Sequence, residues 1–372
     1  MKLVVIGHDY QDDRYIPNLE ALAARPNVDV TLICPERFKG RHCHWNQETK
    51  VARLPIDAWF ARRQGTYVYD PRALGKALDR LQPDIILHVQ EVYALGAAQI
   101  AAAAARRSIP LVMLVWENVP RALSRPRRML ARFVLRSCSA LIAGSTGCQE
   151  IHRNWGFTGP IEVVPLLGVN VGAGPGRGRQ AIDGFSVCYV GRLVPQKGVD
   201  CLLRAVAGLR KQKIPVECSI AGEGPEFDNL TALARELEIA DHVRFCGQLS
   251  RASVRTLLRQ TDVEILPSRR TSFWSEQFGR VLTEAMAEAT VTVGSRTGAI
   301  PEVIGDDELL FAEDDWRGIA AILERLHNDP QWLAGCRRKL WTRAKENYTY
   351  DRLAARAIQF LREVEARPLG SH

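Results

Sequence analysis

The chain has 372 residues, 46% of them hydrophobic and 25% charged, with a formal net charge of +8. That length suits two globular domains better than one core, and the composition excludes a disordered or fibrous protein. No stretch is long and apolar enough to span a bilayer, and the opening MKLVVIG, followed by His8, Asp9 and Tyr10, reads as a first strand rather than a signal peptide.

In the first half, short β-branched runs predict strands over 3–6, 28–34, 84–89, 111–116, 140–143 and 161–164, with helices over 18–24, 71–81 and 92–105 between them. Near-continuous apolar strands separated by helices imply a parallel sheet covered on both faces. Residues 166–184 carry six glycines and no periodic apolar face, so they read as a linker. The pattern then restarts, with strands expected over 185–190, 216–221, 243–246, 263–266, 291–293 and 309–311, and a last amphipathic helix over 350–364 that could pack on either domain. The expected fold class is α/β, with two doubly wound, Rossmann-like parallel-sheet domains. Their boundaries fall at 1–167 and 185–348, joined by a linker over 168–184 and followed by a C-terminal helix and tail over 349–372. The crevice between two such domains is the default site.

Nine scattered cysteines, never spaced C-x-x-C, argue for free thiols in a reducing compartment rather than a disulfide framework or a zinc site. The positive charge is uneven: residues 1–165 hold 22 Lys/Arg against 15 Asp/Glu, and the remainder 28 against 27. Six arginines lie between Arg121 and Arg136, interleaved with Leu123, Met129, Leu130, Phe133, Val134 and Leu135. From Pro126 onward this predicts a basic amphipathic helix suited to an anionic membrane surface or a phosphorylated acceptor, with a solvated helix face as the plain alternative. With no recognised module and no interleaved aromatics, the segment does not suit nucleic acid.

Neither domain has a dinucleotide or P-loop signature. The first strand leads into Gly7-His8-Asp9-Tyr10 and the second domain's first strand into Gly191-Arg192-Leu193-Val194-Pro195-Gln196-Lys197-Gly198. The second loop presents a guanidinium and an ammonium five positions apart at the carboxyl edge of a sheet, which would neutralise a diphosphate, although a solvated loop could also carry both. A second constellation, Glu276-Gln277-Phe278-Gly279-Arg280-Val281-Leu282-Thr283-Glu284, sets two carboxylates either side of a helix start near Gly279. The free amides there would form an anion site, and the carboxylates could accept from sugar hydroxyls. A helix with acidic residues favoured by its dipole would explain Glu276 but not the pair.

GRLVPQKG at 191–198, AGEGPE at 221–226, VRFCGQLS at 243–250, EQFGRVLTEAMA at 276–287 and GAIPEVIG at 298–305 occur in the order of the retaining GT-B glycosyltransferases of family 4, and GPIEVVPLLGVN at 159–170 is similar to that family's interdomain approach. The resemblance is dense over 160–312 and architectural over 1–158. It implies a retaining hexosyltransferase that takes a nucleotide-diphosphate sugar as co-substrate, uses no cofactor and needs no metal. The acceptor would be a lipid-linked glycan, a polysaccharide precursor or a small glycoside, bound by the N-terminal domain. Cytoplasmic localisation, peripheral on the inner face of the plasma membrane through 121–136, goes with it.

At matched positions the resemblance implies that Arg192 and Lys197 bind the diphosphate and stabilise the leaving phosphate. Glu276 would contact donor-sugar hydroxyls and Glu284 the ribose. Gln277 falls within the same donor segment, and Phe278, Gly279 and Arg280 would offer backbone amides. Gly191 would flank the diphosphate loop, Gly222 and Gly224 would leave room for the nucleotide, and Cys246 and Gly247 would border the base. On the acceptor side, Glu117 stands where the family often has a His, with Asn118 as helper, and His88 beside Glu91, and His8, are further candidates. Two rival readings are an epimerase or hydrolase acting on the donor alone and a catalytically silent donor-binding subunit. Glu288-Ala289-Thr290-Val291 stands where the family usually shows Gly and then Pro, a change expected to alter local packing rather than donor binding.

Overall fold

The computed structural model describes residues 1–11, 15–42, 49–63, 65–172, 174 and 184–367. Most of the expected linker, the last five residues and Cys43 lie outside the described residues. The chain divides into two compact units, Met1–Gly168 together with Tyr350–His372, and Val169–Thr349.

The first unit is built on seven parallel strands: β1 (Lys2–Gly7), β2 (Asp29–Pro35), β3 (Ala52–Ile56), β4 (Ile85–Val89), β5 (Leu111–Val115), β6 (Ala140–Ala143) and β7 (Ile161–Val163). Their order is β7-β6-β5-β4-β1-β2-β3, so the direction of winding reverses between β1 and β4 and leaves a switch point at their carboxyl ends. Every residue of β4 and β5 is buried, which requires helices on both faces and accounts for the unbroken apolar runs. Those helices are α1 (Ile16–Ala23), α2 (Pro71–Leu81), α3 (Leu95–Ala105), α4 (Arg125–Ser137) and α5 (Thr146–Asn154).

β3 has no counterpart among the expected strands. Its sequence, ARLPI, is mostly exposed and contains Pro55. It pairs on one side only, with β2, an edge position where a missing amide is tolerated. Two short antiparallel ribbons, Arg37–Phe38 with Arg41–His42 and Ala58–Trp59 with Val68–Tyr69, also leave too few residues for periodicity to register.

The second unit repeats the plan with β8 (Phe185–Val190), β9 (Val216–Ala221), β10 (Val243–Gly247), β11 (Val263–Leu266), β12 (Val291–Ser295) and β13 (Leu310–Phe311). The order β10-β9-β8-β11-β12-β13 places its switch point between β8 and β11. Helices α6 (Val199–Lys211), α7 (Phe227–Glu236), α8 (Arg251–Gln260), α9 (Arg280–Ala287), α10 (Ile300–Ile304), α11 (Trp316–Asn328) and α12 (Pro330–Asn347) complete it. The last helix, α13 (Tyr350–Glu365), returns to the first unit, where Leu353, Ala357, Ile358 and Leu361 enter the core beside α1.

Eight cysteines are described as free thiols, seven of them buried and Cys246 half-buried. α9 ends in a turn at 288–291, where the chain departs from the family's Gly and then Pro. Ala289 adopts a left-handed φ of 60°, and the Ala289 and Thr290 amides close the helix on the Met286 and Ala285 carbonyls, the geometry in which glycine is favoured. Glu288 accepts from Arg255 and from Arg259, the latter at 3.0 Å, tying α9 to α8. The Val291 amide donates to the Asp262 carbonyl at 3.1 Å, a bond proline could not make. Ala289→Gly is therefore expected to stabilise the protein by roughly 1 kcal/mol, because left-handed backbone costs a residue with a Cβ about that much. Denaturant melts of the two proteins would check it.

Candidate functional site

β8 ends at the switch point and feeds the loop 191–198, whose main chain is braced on the neighbouring loop after β9. The Gly191 amide donates to the Ala221 carbonyl at 2.9 Å, the Leu193 amide to the Glu223 carbonyl at 2.9 Å, and the Glu226 amide to the Leu193 carbonyl at 3.1 Å. A Cβ on Gly222 would sit 1.8 Å from the Gly191 carbonyl oxygen, and one on Gly224 2.1 Å from that of Leu193. The resemblance gave these glycines the role of leaving room for the nucleotide; the space on their Cβ side is taken by the 191–193 backbone. The buried Tyr189 hydroxyl adds a bond to the Arg192 carbonyl at 2.8 Å. Arg192 itself is exposed.

A short 3₁₀ turn, Pro195–Lys197, then directs Lys197 inward. Its ammonium lies 2.5 Å from Oε2 of Glu276 and 5.0 Å from the centroid of the Trp274 ring. The Ser268 hydroxyl donates to the same carboxylate oxygen at 2.9 Å. Both charged partners are largely buried, with side chains 13% and 11% exposed. Burying either charge alone would be costly, so each depends on the other. The Glu276 main chain is fixed as well, since its carbonyl accepts from the Ala299 amide at 3.0 Å.

After Glu276 the chain passes through exposed Gln277, buried Phe278 and the left-handed Gly279, which caps α9. Arg280 and Glu284 form a pair at 2.9 Å one turn apart on that helix. Lys197 and Glu276 thus stand in contact, with the N-terminus of α9 following, and Glu284 one turn further on. Cys246 and Gly247 close β10, where the Gly247 carbonyl accepts from the Gly222 amide at 2.8 Å.

In the first unit the candidates separate into two groups. His88 is fully buried, with Nδ1 2.9 Å from the Ile6 carbonyl oxygen and Nε2 3.1 Å from the Gln90 side chain. Burial pushes its imidazole down to about 4. His88 therefore joins β4 to β1 and does not reach an acceptor, which corrects its place among the acceptor-side candidates. His8, also buried, lies against Phe38 with ring centroids 4.7 Å apart and has Nδ1 3.4 Å from the Tyr67 hydroxyl. Loss of hydration lowers its pKa despite the neighbouring Asp9.

Glu117 and Glu91 stand at the ends of the adjacent strands β5 and β4. Glu117 accepts from the Tyr93 hydroxyl at 2.9 Å and pairs with Arg121. Glu91 accepts from the Trp116 amide at 2.9 Å, and burial pushes its carboxyl up to about 7. Half-buried Asn118 follows Glu117 in the loop.

Two family models cover most of the chain: Glycosyltransferase Family 4 over residues 14–170 and Glycosyl transferases group 1 over 179–347. The chain belongs to glycosyltransferase family 4. It is 30% identical over 213 residues to a glycogen synthase of Mycobacterium tuberculosis, a match covering 56% of this chain and 50% of that one. It is 31% identical over 258 residues to the phosphatidyl-myo-inositol mannosyltransferase of Mycolicibacterium smegmatis, covering 67% of this chain and 64% of that one. The chain therefore spans about half to two thirds of the length of these curated relatives. The crystal structure of Anabaena Alr3699/HepE in complex with UDP superposes with a TM-score of 0.75, covering 98% of this chain and 100% of that one at 19% identity, a likeness of fold. The two parallel-sheet units are those of a GT-B glycosyltransferase.

The family motifs did not single out Ser268, Trp274 or Glu264. The first two follow β11 in the segment SRRTSFWSE, where no periodicity flags them. Glu264 lies within β11 itself, in a run that reads as ordinary strand. Its carboxyl is fully buried, and among the described residues neither oxygen has a hydrogen-bond partner. In register it lies between Cys188 on β8 and Thr292 on β12. Thr292 is likewise buried with an unpartnered hydroxyl.

Burial raises the Glu264 pKa well above the ordinary carboxyl value. Lys197 opposes this, and Glu276 and Glu284 reinforce it. The shift favours the neutral group in the fold, whereas the unfolded chain ionises it above the usual 4.5. Folding then takes up a proton, and stability falls as pH rises from there toward the raised value. In Glu264→Gln that slope disappears: the melting temperature of the variant relative to wild type is expected to climb as pH rises above 4.5, as read by calorimetry at each pH.

Proposed function

We propose that the protein is a retaining, metal-independent hexosyltransferase that moves a sugar from a nucleotide-diphosphate donor, held by the second unit, to an acceptor hydroxyl bound by the first. The reading rests above all on the buried contact between Lys197 and Glu276 at the carboxyl edge of the second sheet. A cation and an anion kept largely from water and touching each other can meet a ligand that offers phosphate oxygens to one and hydroxyls to the other. Among solved structures of the same fold, Anabaena Alr3699/HepE has been crystallised with UDP-glucose.

In this reading Arg192 and Lys197 take the diphosphate, Arg192 by forked hydrogen bonds and Lys197 as a point charge. Glu276 takes hydroxyls of the sugar, Glu284 those of the ribose, and the amides from Phe278 to Arg280 receive phosphate or sugar oxygens. The acceptor oxygen attacks the anomeric carbon on the face that the nucleotide leaves. The bond from that carbon to the phosphate oxygen breaks, and the acceptor proton passes to the departing β-phosphate. Negative charge grows on that phosphate as the bond lengthens, so the two cations stabilise the transition state more than the ground state. On the acceptor side, Glu117 is the candidate for orienting the hydroxyl, with Asn118, Glu91 and His8 around it. A lipid-linked glycan, a polysaccharide precursor or a small glycoside would serve as acceptor.

α4 supports a seat on the cytoplasmic face of an anionic membrane. Met129 and Phe133, one turn apart, are 71% and 44% exposed, and the exposed Arg125, Arg128, Arg132 and Arg136 flank them. An apolar ridge bordered by guanidinium groups suits an anionic lipid surface. Among the described residues no helix is long and apolar enough to cross a membrane.

A thermal-shift screen against UDP-, GDP-, ADP- and TDP-sugars should give a raised melting temperature with at least one of them; none would reject the reading. With that donor, Glu276→Ala and Lys197→Ala are each expected to lower turnover by roughly 100-fold or more while the proteins stay folded. Product formed without acceptor would instead favour an epimerase or hydrolase, and tight donor binding without transfer across an acceptor panel a silent binding subunit. Cosedimentation with phosphatidylglycerol vesicles, but not with phosphatidylcholine vesicles, is expected for the wild type. Arg128→Glu combined with Arg132→Glu should abolish it.

A further inference from the structure

We propose that the Trp274 ring forms an aromatic platform that takes the C–H face of the pyranose ring carried by the donor and thereby sets the preference among sugars. This rests on the donor site assigned above. Trp274 precedes Glu276 by two residues, and its ring stands 5.0 Å from the Lys197 ammonium. A ring so placed borders the point where the diphosphate ends and the sugar begins, since Lys197 serves the first and Glu276 the second.

The turn that carries it is fixed. The Thr271 amide donates to the Trp274 carbonyl at 2.8 Å, and the Arg269 amide to the Gln196 carbonyl at 2.8 Å. The Arg269 guanidinium donates to the Pro195 carbonyl at 3.1 Å and to Asp200 at 2.7 Å. Arg269 thus ties the start of the aromatic turn to the loop that bears Lys197.

The exposure is unlike that of a packing residue. Trp274 is half-buried, and Phe273 is 65% exposed. A single exposed apolar side chain is ordinary, but here two large aromatic rings are adjacent in sequence, and one of them faces a largely buried ammonium. The negative face of an aromatic ring favours that cation and equally the weakly positive C–H groups of a sugar ring. Polar groups then fix the sugar's orientation: Glu276 reads hydroxyls along the rim while the indole reads the apolar face, the usual division of labour in a ligand site. A hexose with an axial hydroxyl on the stacked face would keep less of the contact than its epimer.

If the ring only held Lys197 in place, its loss would weaken every ligand bearing the diphosphate. If it receives the sugar, only ligands bearing the sugar should suffer. Calorimetric titration of the full chain with UDP, GDP, ADP and TDP, each paired with its glucose and mannose conjugates, separates the two. With the pair that the wild type binds, Trp274→Ala is expected to weaken the nucleotide sugar about tenfold and the free nucleotide less than about twofold, and to narrow the glucose-to-mannose affinity ratio; Trp274→Phe should restore most of the loss. Equal weakening of nucleotide and nucleotide sugar, or no weakening of either in variants that melt like the wild type, overturns the proposal. Wild-type protein that binds none of the eight conjugates fails earlier and differently: it removes the donor site itself, and the platform with it.

Discussion

The second unit is organised around one buried ion pair, Lys197 with Glu276. In a low-dielectric setting neither charge is tolerable alone, and the pair is a poor source of stability compared with apolar side chains of the same volume. Its surroundings are nevertheless built to keep it. Ser268 donates to the carboxylate, Trp274 faces the ammonium, and the Ala299 amide holds the Glu276 main chain. Three separate contacts thus hold an arrangement that adds little to stability, which is what supports reading the pair as part of the proposed donor site. Burial likewise disfavours ionisation of Glu264, which would otherwise add a third negative charge to the neighbourhood of Glu276 and Glu284.

The loop that delivers Lys197 is stiff because its backbone leans on another backbone. Gly222 and Gly224 permit that approach, and no residue with a Cβ could stand in their place without displacing the Gly191 and Leu193 carbonyls. The motif AGEGPE therefore braces the loop GRLVPQKG, and a substitution in the first should be felt as misplacement of Lys197.

Much of this was legible in the chain. Apolar runs such as FSVCYV and PLVMLVW announced buried parallel strands because burial on both faces erases alternation, and the GRLVPQKG and EQFGRVLTE segments carry enough special residues to be noticed far apart in sequence. What stayed hidden did so for physical reasons. β3 is polar and contains a proline because it lies at a sheet edge, so it lacks the pattern that marks a central strand. Glu264 looked like part of a strand because register, not composition, buries it. Trp274 sits in an irregular turn whose partners are 77 or so residues away (Trp274 against Lys197), and periodicity says nothing about such pairs. His88 misled for the opposite reason: an ionisable residue at a strand end suggests chemistry, yet here both ring nitrogens are engaged within the core.

The two units share a strand order but arm their carboxyl edges differently. The edge of the second unit is braced by main chain, through glycines and amide–carbonyl bonds, in addition to the side-chain contacts of Lys197 and Glu276. The edge of the first unit is set by side chains: Glu117 depends on Tyr93 and Arg121, and Glu91 is held by the Trp116 amide while its carboxyl titrates near neutrality. A backbone-built site is hard to alter without breaking the fold, whereas a network of side chains changes with single substitutions. The motifs of the family resemblance lie on the edge braced by backbone contacts, whereas the edge of the first unit, held by side-chain contacts, carries none of them.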